Sequence, residues 1–252
     1  MSERSRTALE SGALEPIHTR VQHVDDGGAR FALRVVSSLA RKATAKRGGN
    51  PFLPPYEEGL LVGEVSATHV CLLNKFPVFE RHALLVTRAY EEQTALLTEA
   101  DFAAFLPLLR ALDALAFYNS GTGSGASQAH KHLQLVPTPL DVGPERAPLE
   151  PLWGAGRLPF AHALGELPAD PREAWEAYRA LVQRAGCASR PYNLLATGTR
   201  MLVVPRRAEC FEEVSLNALA FAGSLLVKND AQLRRLVDAG PMQVLRAVTF
   251  PA

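Results

Sequence analysis

The sequence FYNSGTGSGASQAHKHLQLVP at residues 117–137 constrains this chain more than any other stretch. A loop of Gly, Ser and Thr comes first, and a short run with the alternation of a β-strand follows it. Alternate side chains of a strand share a face, so His130, His132 and Gln134 are predicted to point together, opposite to Lys131. A glycine loop that can bring backbone N–H groups close to a phosphate therefore leads directly into two imidazoles and a carboxamide on one surface.

The composition is that of an ordinary globular protein. The chain has 252 residues, of which 47% are hydrophobic and 21% charged, and its formal net charge is +1. This length gives one large domain or two small ones, and the near-neutral charge argues against a broad electrostatic nucleic-acid binder. The first residues lack the apolar centre of a signal peptide, and no apolar run approaches the length of a membrane span. We therefore expect a cytoplasmic protein without nucleic-acid or membrane partners.

The first half of the chain is predicted to form antiparallel strands around one long helix. The sequence DDGG at 25–28 predicts a hairpin, and further strands are predicted at 60–65, 69–73 and 83–87. Apolar residues at helical spacing predict a helix over 98–118, which Thr98 and Asp101 begin as a capping box. Together these elements predict an α+β fold with helices on one face of an antiparallel sheet.

The rest of the chain carries the predicted linker and a second set of elements. Residues 1–16 are expected to be poorly ordered, and Pro and Gly are dense from 138 to 171, although Trp153 and Phe160 indicate packing there. The predicted divisions are a core at 17–140, a Pro/Gly-rich linker at 141–171 and a C-terminal segment at 172–252. The C-terminal elements are predicted as a helix at 172–185, paired strands at 192–197 and 201–205, an apolar helix from Ser215 to Val227, and a short helix from Asp230 to Gly240.

Several segments together resemble one enzyme family. They are SGASQ before HKHLQ (124–134), NPFLPPY (50–56), LNKFPV (73–78), HALLVT (82–87), PYNLL (191–195), LNAL (216–219) and LLVK (225–228). In these motifs the chain resembles the diadenosine tetraphosphate phosphorylases, also called ATP adenylyltransferases, of the histidine-triad superfamily. The resemblance covers nearly all of the chain beyond residue 40. It implies a histidine-triad-like antiparallel sheet and a C-terminal α/β extension that completes a nucleotide pocket.

The resemblance also implies roles for the motif residues. By position, His132 is the nucleophile that takes up AMP as a covalent adenylyl-histidine, and a neutral imidazole is a good nucleophile near pH 7. In relatives a backbone carbonyl, which lies near His130 here, holds the other nitrogen of that ring. His130 itself would support the geometry or the phosphate charge.

Gln134 indicates which acceptor the reaction uses. Hydrolases of the superfamily carry a third histidine at this position, which can exchange protons with a leaving group or a water. A carboxamide can hydrogen-bond a phosphoryl oxygen but cannot shuttle a proton at neutral pH. We therefore predict transfer to an anion: inorganic phosphate would split diadenosine tetraphosphate into ATP and ADP.

The remaining predicted contacts surround the phosphates. Backbone N–H groups of the loop residues Gly125, Ala126, Ser127 and Gln128, with the Ser127 hydroxyl, would line the α-phosphate, and Asn119 would bind ribose or phosphate. By the resemblance, the other contacts are Lys42, chosen over Lys46 in the basic stretch 37–50, and Asn74, Lys75, Asn217, Ala218, Leu219, Ser224 and Lys228. The structural alternatives are an exposed turn at 74–75 and a core helix at 217–228 whose terminal lysine complements the helix dipole.

Partners and cofactor follow from this scheme. The expected partners are a dinucleoside polyphosphate, ATP, ADP and phosphate. A divalent cation such as Mg²⁺ is expected on the substrate phosphates and not in a protein cage. The extra C-terminal segment favours a monomer, with a dimer as the alternative.

Three alternatives remain open at this stage. His130 and His132 could chelate zinc with His69, His82 or Cys71, although no spacing requires it and Gln134 is a poor zinc ligand. The three cysteines, Cys71, Cys187 and Cys210, are far apart and odd in number, which suits a reducing compartment.

The second alternative is a nucleotidyltransferase or phosphorylase acting on nucleoside-diphosphate sugars, which shares the His-x-His-x-Gln motif. A non-catalytic nucleotide-binding protein would keep the pocket without the covalent step.

Overall fold

A computed structural model describes residues 2–36 and 49–252 of the chain. The stretch 37–48 lies outside the described residues, and with it the predicted contact Lys42 and its alternative Lys46.

Nineteen helices and strands occur within these described ranges. They are α1 (Ser2–Glu10), β1 (Thr19–Asp26), β2 (Ala29–Val36), β3 (Leu61–Glu64), β4 (His69–Leu73), β5 (Ala83–Thr87), α2 (Glu99–Ala111), β6 (Ala114–Asn119), β7 (His132–Pro137), α3 (Glu150–Gly154), β8 (Ala163–Glu166), α4 (Pro171–Arg184), β9 (Tyr192–Ala196), β10 (Arg200–Pro205), β11 (Cys210–Phe211), β12 (Val214–Ser215), β13 (Ser224–Val227), α5 (Asp230–Ala239) and α6 (Pro241–Ala247). Two 3₁₀ helices, Thr122–Ser124 and Ala218–Ala222, complete the secondary structure described here.

An antiparallel sheet organises the fold. Eight strands lie side by side in the order β3-β4-β5-β7-β6-β9-β10-β8 within the described part of the chain. β7, which carries His132 and Gln134, is a central strand: Val86 of β5 pairs with His132, and Phe117 of β6 pairs with Gln134. His130, the third predicted catalytic residue, lies two residues before the strand and forms an isolated bridge with Glu92. A central position holds the backbone on both sides, which is what a precisely placed nucleophile needs.

The two faces of this sheet are covered differently. Helices α2 and α4 pack on one face, where Leu133 and Leu135 of β7 meet Phe102, Phe105 and Tyr178. On the opposite face β6, β9 and β10 are covered by the sheet β1-β2-β13 and the C-terminal helices, with Val136 in that core. His132 and Gln134 alternate with the leucines and face this second side, where His132 is buried and Gln134 is half-buried. The α+β fold with helices on one face and a C-terminal α/β extension is confirmed.

Most predicted elements are confirmed as well. The hairpin β1-β2, the strands β3, β4 and β5, the helix α4, the strand pair β9-β10 and the helix α5 lie where the sequence places them. Thr98 and Asp101 form the predicted capping box at the start of α2.

Three predicted elements are wrong. Residues 1–16 begin with the helix α1, whose Ala8 packs with Leu14, Leu60 and Leu73. The helix predicted over 98–118 ends at Ala111, and the chain turns at Asp113, which has φ 45°, into the strand β6. Every residue of β6 is buried, and its first five residues, ALAFY, show no polar alternation that would separate a buried strand from a helix.

The apolar helix predicted from Ser215 to Val227 is also wrong. Ser215 belongs to β12, Asn217 caps the 3₁₀ helix Ala218–Ala222, and β13 then pairs in parallel with β2. Gly223 breaks the helix because it adopts φ 94°, and a Cβ there would lie 2.7 Å from Pro148. A short apolar run bounded by glycine does not distinguish strand from helix by sequence.

The segment 141–171 is folded into the body of the protein. It contains α3 and β8, and β8 is an edge strand of the main sheet that pairs with β10. Trp153 and Phe160 are fully buried, and the Trp153 indole N–H donates to the carbonyl of Phe221. The division at 17–140, 141–171 and 172–252 stays a prediction.

Among the described residues, the helices are all too short or too polar to span a lipid bilayer.

Candidate active site

His132 begins β7 and is held rigidly through its backbone. Its N–H donates to Oε1 of Gln93 at 2.8 Å, and its carbonyl accepts from Nε2 of Gln93 at 3.1 Å. The same Nε2 donates to the carbonyl of Asn119 at 2.8 Å. The Gln93 carboxamide thus takes the place of a neighbouring strand at the point where β6 no longer pairs with β7.

The His132 ring has a defined tautomer. Its Nδ1 lies 2.8 Å from the carbonyl oxygen of His130, which can only accept, so Nδ1 carries the proton and Nε2 carries the lone pair. The pKa of His132 is lowered to about 4, mainly by burial; the bond to the His130 carbonyl opposes this shift, and the nearby His130 ring contributes to it. At neutral pH the ring is therefore an uncharged base with one oriented nitrogen.

His130 lies beside this ring with both nitrogens engaged. Its Nε2 is 2.8 Å from the Thr87 carbonyl, to which it donates, and its Nδ1 accepts from Nδ2 of Asn50 at 2.9 Å. Burial is the main cause that lowers the pKa of His130. Phe52 packs on both rings, with its centroid 4.9 Å from that of His132 and 5.9 Å from that of His130. His130 is thus a neutral, fixed ring whose backbone carbonyl accepts from Nδ1 of His132.

Gln134 lies on the same face, next to His82, which the sequence offered only as a candidate zinc ligand. Its Oε1 is 2.9 Å from Nε2 of His82, and Nδ1 of His82 is 3.1 Å from Nδ2 of Asn74. Oδ1 of Asn74 accepts the backbone N–H of Phe76 at 3.1 Å. Nδ2 of Asn74 uses one of its two hydrogens for His82, so the predicted role of Asn74 as a nucleotide contact stays a prediction.

Burial lowers the pKa of His82 to about 4. The hydrogen bond to Gln134 opposes this shift, and the proximity of His132 adds to it. His82 is therefore a second uncharged imidazole close to His132.

The glycine loop is closed on itself by part of its own backbone. The N–H groups of Gly125 and Ala126 donate to the carbonyls of Thr122 and Gly121 at 2.9 and 3.2 Å. These two amides are already paired, which corrects the predicted four-amide lining for the α-phosphate. Ser127 and Gln128 follow in exposed positions, and within the described ranges their N–H groups have no protein acceptor.

Close packing explains why the loop is rich in glycine. Gly125 has φ 88°, and a Cβ there would lie 2.6 Å from the Leu216 carbonyl oxygen and 2.9 Å from Cα of Asn217. A Cβ on Gly123 would lie 2.8 Å from Pro191. The loop is thus pressed between the C-terminal segment and the start of β9.

A buried polar network joins this loop to the C-terminal segment. Oδ1 of Asn119 accepts from the N–H of Ala218 at 2.9 Å and from Nδ2 of Asn193 at 2.8 Å. Nη1 of Arg206 donates to Oδ1 of Asn193 at 2.7 Å and to the Leu216 carbonyl at 2.9 Å. Burial lowers the pKa of Arg206 to about 10. In the described ranges no carboxylate lies within ion-pair distance of this buried guanidinium, which is 2% exposed.

The other predicted contacts have mixed positions. Asn217 and Leu219 lie in or beside the 3₁₀ helix whose first N–H binds Asn119. Lys75 forms ion pairs with Glu57 and with Glu15, the latter at 3.6 Å. Ser224 accepts from Nε of Arg34 at 3.0 Å, and the Lys228 backbone donates to Gln232. These contacts tie Ser224 to strand β2 and Lys228 to helix α5, and they leave the predicted substrate roles of both residues as predictions.

Beneath the site, on the helical face, Lys131 is buried in a charged cluster. Its Nζ lies 2.7 Å from Oδ2 of Asp101 and 3.0 Å from Oε2 of Glu91, and Nε2 of His69 lies 2.9 Å from Oδ1 of Asp101. Burial alone would raise the pKa of the Asp101 carboxyl, but hydrogen bonds from His69, Lys131 and Thr98 bring it down to about 2. The cluster anchors the residue between the two histidines to helix α2.

The histidines are arranged differently from a zinc site. Each candidate third ligand is used elsewhere: His69 binds Asp101, His82 binds Gln134, and Cys71 is buried in the α2-side core. In the part of the chain that the structure describes, no three His, Cys, Asp or Glu side chains are grouped as metal ligands.

Sequence reasoning gave no role in nucleotide transfer to four residues that build the site, of which His82 was named only as a candidate zinc ligand. They are Gln93, His82, Asn193 and Arg206. Two of them had a sequence signal, because His82 and Asn193 fall within the HALLVT and PYNLL segments, but Gln93 and Arg206 lie in no motif.

Comparisons with known proteins agree with this geometry. A family model described as the Ap4A phosphorylase N-terminal domain matches residues 1–155, and one described as the ATP adenylyltransferase C-terminal domain matches residues 156–251. Among curated proteins of Saccharomyces cerevisiae, Protein APA1 is 30% identical over 94% of this chain and 88% of its own length. Diadenosine 5',5'''-P1,P4-tetraphosphate phosphorylase 2 is 28% identical over 92% of this chain and 87% of its own.

Solved structures give the same result. The yeast Ap4A phosphorylase Apa2 in complex with Ap4A has a TM-score of 0.86 and 26% identity, covering 99% of this chain and 96% of its own. Its complex with AMP has a TM-score of 0.85 and 27% identity, covering 99% and 95%.

Proposed function

The chain belongs to the family of Ap4A phosphorylases and ATP adenylyltransferases, nucleotidyltransferase-type enzymes, and from this premise we propose that it catalyses phosphorolysis of diadenosine tetraphosphate (Ap4A) to ATP and ADP. The reaction runs through an adenylyl group carried by His132. One observation carries the proposal: the His130 carbonyl holds Nδ1 of His132, so its lone pair is on Nε2 of a buried, neutral ring.

The chemistry proceeds in two displacements. Nε2 of His132 attacks the α-phosphorus of Ap4A, the bond from this phosphorus to the bridging oxygen breaks, and ATP leaves with that oxygen. An oxygen of inorganic phosphate then attacks the phosphorus of adenylyl-His132. The P–N bond breaks, ADP leaves, and the electron pair returns to Nε2. Two displacements by good nucleophiles replace one difficult step.

Fixed donors stabilise the charge on the transferring phosphoryl group. In this proposal the N–H groups of Ser127 and Gln128, the Ser127 hydroxyl and the Gln134 carboxamide would donate to the α-phosphate. The Asn119 carboxamide uses its oxygen within the protein, so its N–H₂ group is the part that reaches ribose or phosphate. Such preorganised donors are worth about 10²–10³ in rate each at comparable sites.

Cations complete the neutralisation in this proposal. A divalent cation such as Mg²⁺ would bind the polyphosphate oxygens of the substrate and neutralise their charge as a Lewis acid. Lys42 and Lys75 serve the same polyphosphate, and Lys75 would exchange one of its two carboxylate partners for it.

The site favours phosphate over water as acceptor. Phosphate is already an anion and needs no general base, whereas water must lose a proton as it attacks. Gln134 cannot take that proton, and the ring nitrogens of His130 and His82 are occupied by Thr87, Asn50, Gln134 and Asn74. The surroundings of His132 therefore stabilise charge but do not activate water.

Covalent labelling tests the proposal. Purified protein is mixed with Ap4A labelled in adenosine, first without phosphate and then with it. We expect label on the protein in the first stage, and its release as ADP in the second. Brisk AMP release without phosphate would indicate a hydrolase instead, and absence of protein-bound label would indicate a nucleotide-binding protein.

A matched pair of variants locates the nucleophile. His132→Ala should abolish labelling and turnover while the protein stays folded. His162→Ala is the control, because Nδ1 of His162 also binds the carbonyl two residues earlier, Phe160, at 2.8 Å, far along the chain from the motif. Appreciable turnover by His132→Ala would refute the assignment.

A further inference from the structure

The carboxamide of Gln134 can face the reacting phosphorus with either of two groups of opposite character. Its N–H₂ group would donate to a phosphoryl oxygen, and its carbonyl oxygen would repel one. Diffraction at ordinary resolution does not separate the two, so the orientation has to be derived from the hydrogen-bond network. The hydrogen bonds of the residues next to Gln134 determine this orientation, starting from a single backbone N–H donor.

The derivation starts at Phe76. A backbone N–H can only donate, so the atom of Asn74 that it meets at 3.1 Å is the carboxamide oxygen Oδ1. The other atom of that carboxamide is then the donor Nδ2, which lies 3.1 Å from Nδ1 of His82. Nδ1 of His82 must accept, and the proton of this neutral ring is on Nε2.

The last link reaches Gln134. Nε2–H of His82 donates to the atom 2.9 Å away, which is therefore the oxygen Oε1 of Gln134. The Gln134 N–H₂ group is then directed away from His82. Within the described ranges it has no protein acceptor, and it lies on the face of β7 that carries His132.

We propose that His82 is a positioning residue which, with Asn74 behind it, fixes the Gln134 carboxamide so that its N–H₂ group donates to the α-phosphoryl group during transfer. The proposal rests on the proposed function of His132. Without the relay the carboxamide would rotate, and its oxygen would face the phosphoryl oxygens for part of the time. The centre of the relay is buried: His82 is 7% exposed, and its ring centroid lies 6.0 Å from that of Phe117, whereas Asn74 and Gln134 are half-buried.

A double-mutant cycle tests whether His82 acts through Gln134. Gln134→Ala removes the donor and should lower kcat about 100-fold. His82→Phe keeps an aromatic ring but no donor, and should lower kcat about tenfold with KM changed less than about threefold, because a transition-state contact is lost. In the Gln134→Ala background, His82→Phe should have almost no further effect on kcat.

The opposite outcome is equally clear. If His82→Phe lowers kcat by the same factor in both backgrounds, it acts through general packing, and the relay is refuted. His82→Gln is the rescue variant, because a carboxamide N–H₂ can again donate to Oε1 of Gln134, and it should recover most of the kcat lost in His82→Phe. Thermal unfolding of each variant shows that the comparison is made between folded proteins.

A measurement on the resting protein separates this proposal from the proposed function. The ¹⁵N shifts of the His82 ring in a long-range ¹H–¹⁵N spectrum report which nitrogen carries the proton. We expect the proton on Nε2 at neutral pH, and its partial transfer to Nδ1 in Asn74→Leu. A proton on Nδ1 in the unsubstituted protein would refute the relay even if Ap4A phosphorolysis is observed, whereas failed phosphorolysis with the proton on Nε2 would refute only the reaction.

Discussion

Replacing Lys131 by Met should destabilise the protein strongly although it removes no apolar contact. Lys131 lies between the two motif histidines and is 1% exposed, as is the Asp101 side chain that it neutralises at 2.7 Å. Met fills the space of the aliphatic stem, so the change adds little cavity. What it leaves behind is a buried carboxylate without its cation.

The size of the effect follows from what Asp101 keeps. Removing one partner of a buried ion pair costs about 3–5 kcal/mol. Asp101 still accepts hydrogen bonds from His69, from the Thr98 N–H and from the Thr98 hydroxyl. With these donors retained, the loss should lie at the lower end of that range, at about 3 kcal/mol.

Urea unfolding measures this loss against a matched control. Glu91→Gln removes the other partner of Lys131, but the Glu91 side chain is 44% exposed, so we expect a loss below about 1 kcal/mol. The midpoint of Lys131→Met should fall well below that of Glu91→Gln with an unchanged slope. Adding Asp101→Asn to Lys131→Met should recover part of the loss, since the uncompensated charge disappears. Equal midpoints for the two single variants would refute this account of the cluster.

Four further predictions have definite expected outcomes. The rate of the first half-reaction, AMP transfer to His132 without phosphate, should not change with the titration of His132 above about pH 5. The rate should fall below pH 4, because a proton then occupies Nε2. Single-turnover rates measure this dependence. In the folded protein the pKa values of His132 and His82 are about 4, below the usual 6.5. The unfolding free energy that these two neutral rings contribute should therefore be fully present above pH 6.5 and decline toward pH 4. Urea midpoints at the two pH values would show this decline. Gly125→Ala should lower the unfolding free energy by about 1–3 kcal/mol and remove most of the nucleotide affinity, because Gly125 has φ 88° and an added Cβ would lie 2.6 Å from backbone. Gly198→Ala is the control, since the space around Gly198 is open, and it should be nearly neutral. Thermal melting and titration calorimetry measure the two effects. Arg206→Met should cost at least about 3 kcal/mol of unfolding free energy because several buried carbonyls lose their donor, whereas the exposed neighbour Arg207→Met should cost little, and equal losses would contradict the network.

Local patterns predicted those parts of the fold in which one principle dominates. The alternation around His132 placed the histidines on one face and the leucines on the helical face, as the structure shows. The capping box at Thr98 was equally predictable, because both its hydrogen bonds are local. The strand β6 was not, because a central strand buried on both faces has no alternation, and its identity is decided by its neighbours β7 and β9.

The site was predictable as far as its chemistry lies within one segment. The glycine loop and the His-x-His-x-Gln strand are contiguous, so their proximity needed no tertiary information. Gln93 lies 39 residues before His132 and Arg206 lies 82 residues after Ser124, and nothing in either local sequence indicates the contact. Long-range hydrogen bonds that replace a missing strand or join two segments depend on the assembled fold.

Hydrogen bonds through Asn119 connect His132 to the C-terminal segment. The Asn119 side chain accepts from Ala218, while its backbone carbonyl accepts from Gln93, which in turn holds both backbone groups of His132. These groups are buried, so breaking any link leaves an unpaired polar atom without water. A shift of the 3₁₀ helix at Ala218 when nucleotide binds beside it would therefore reach the His132 backbone through three hydrogen bonds. The two family models meet at residues 155 and 156, yet the support of the nucleophile depends on residues from both sides of that boundary.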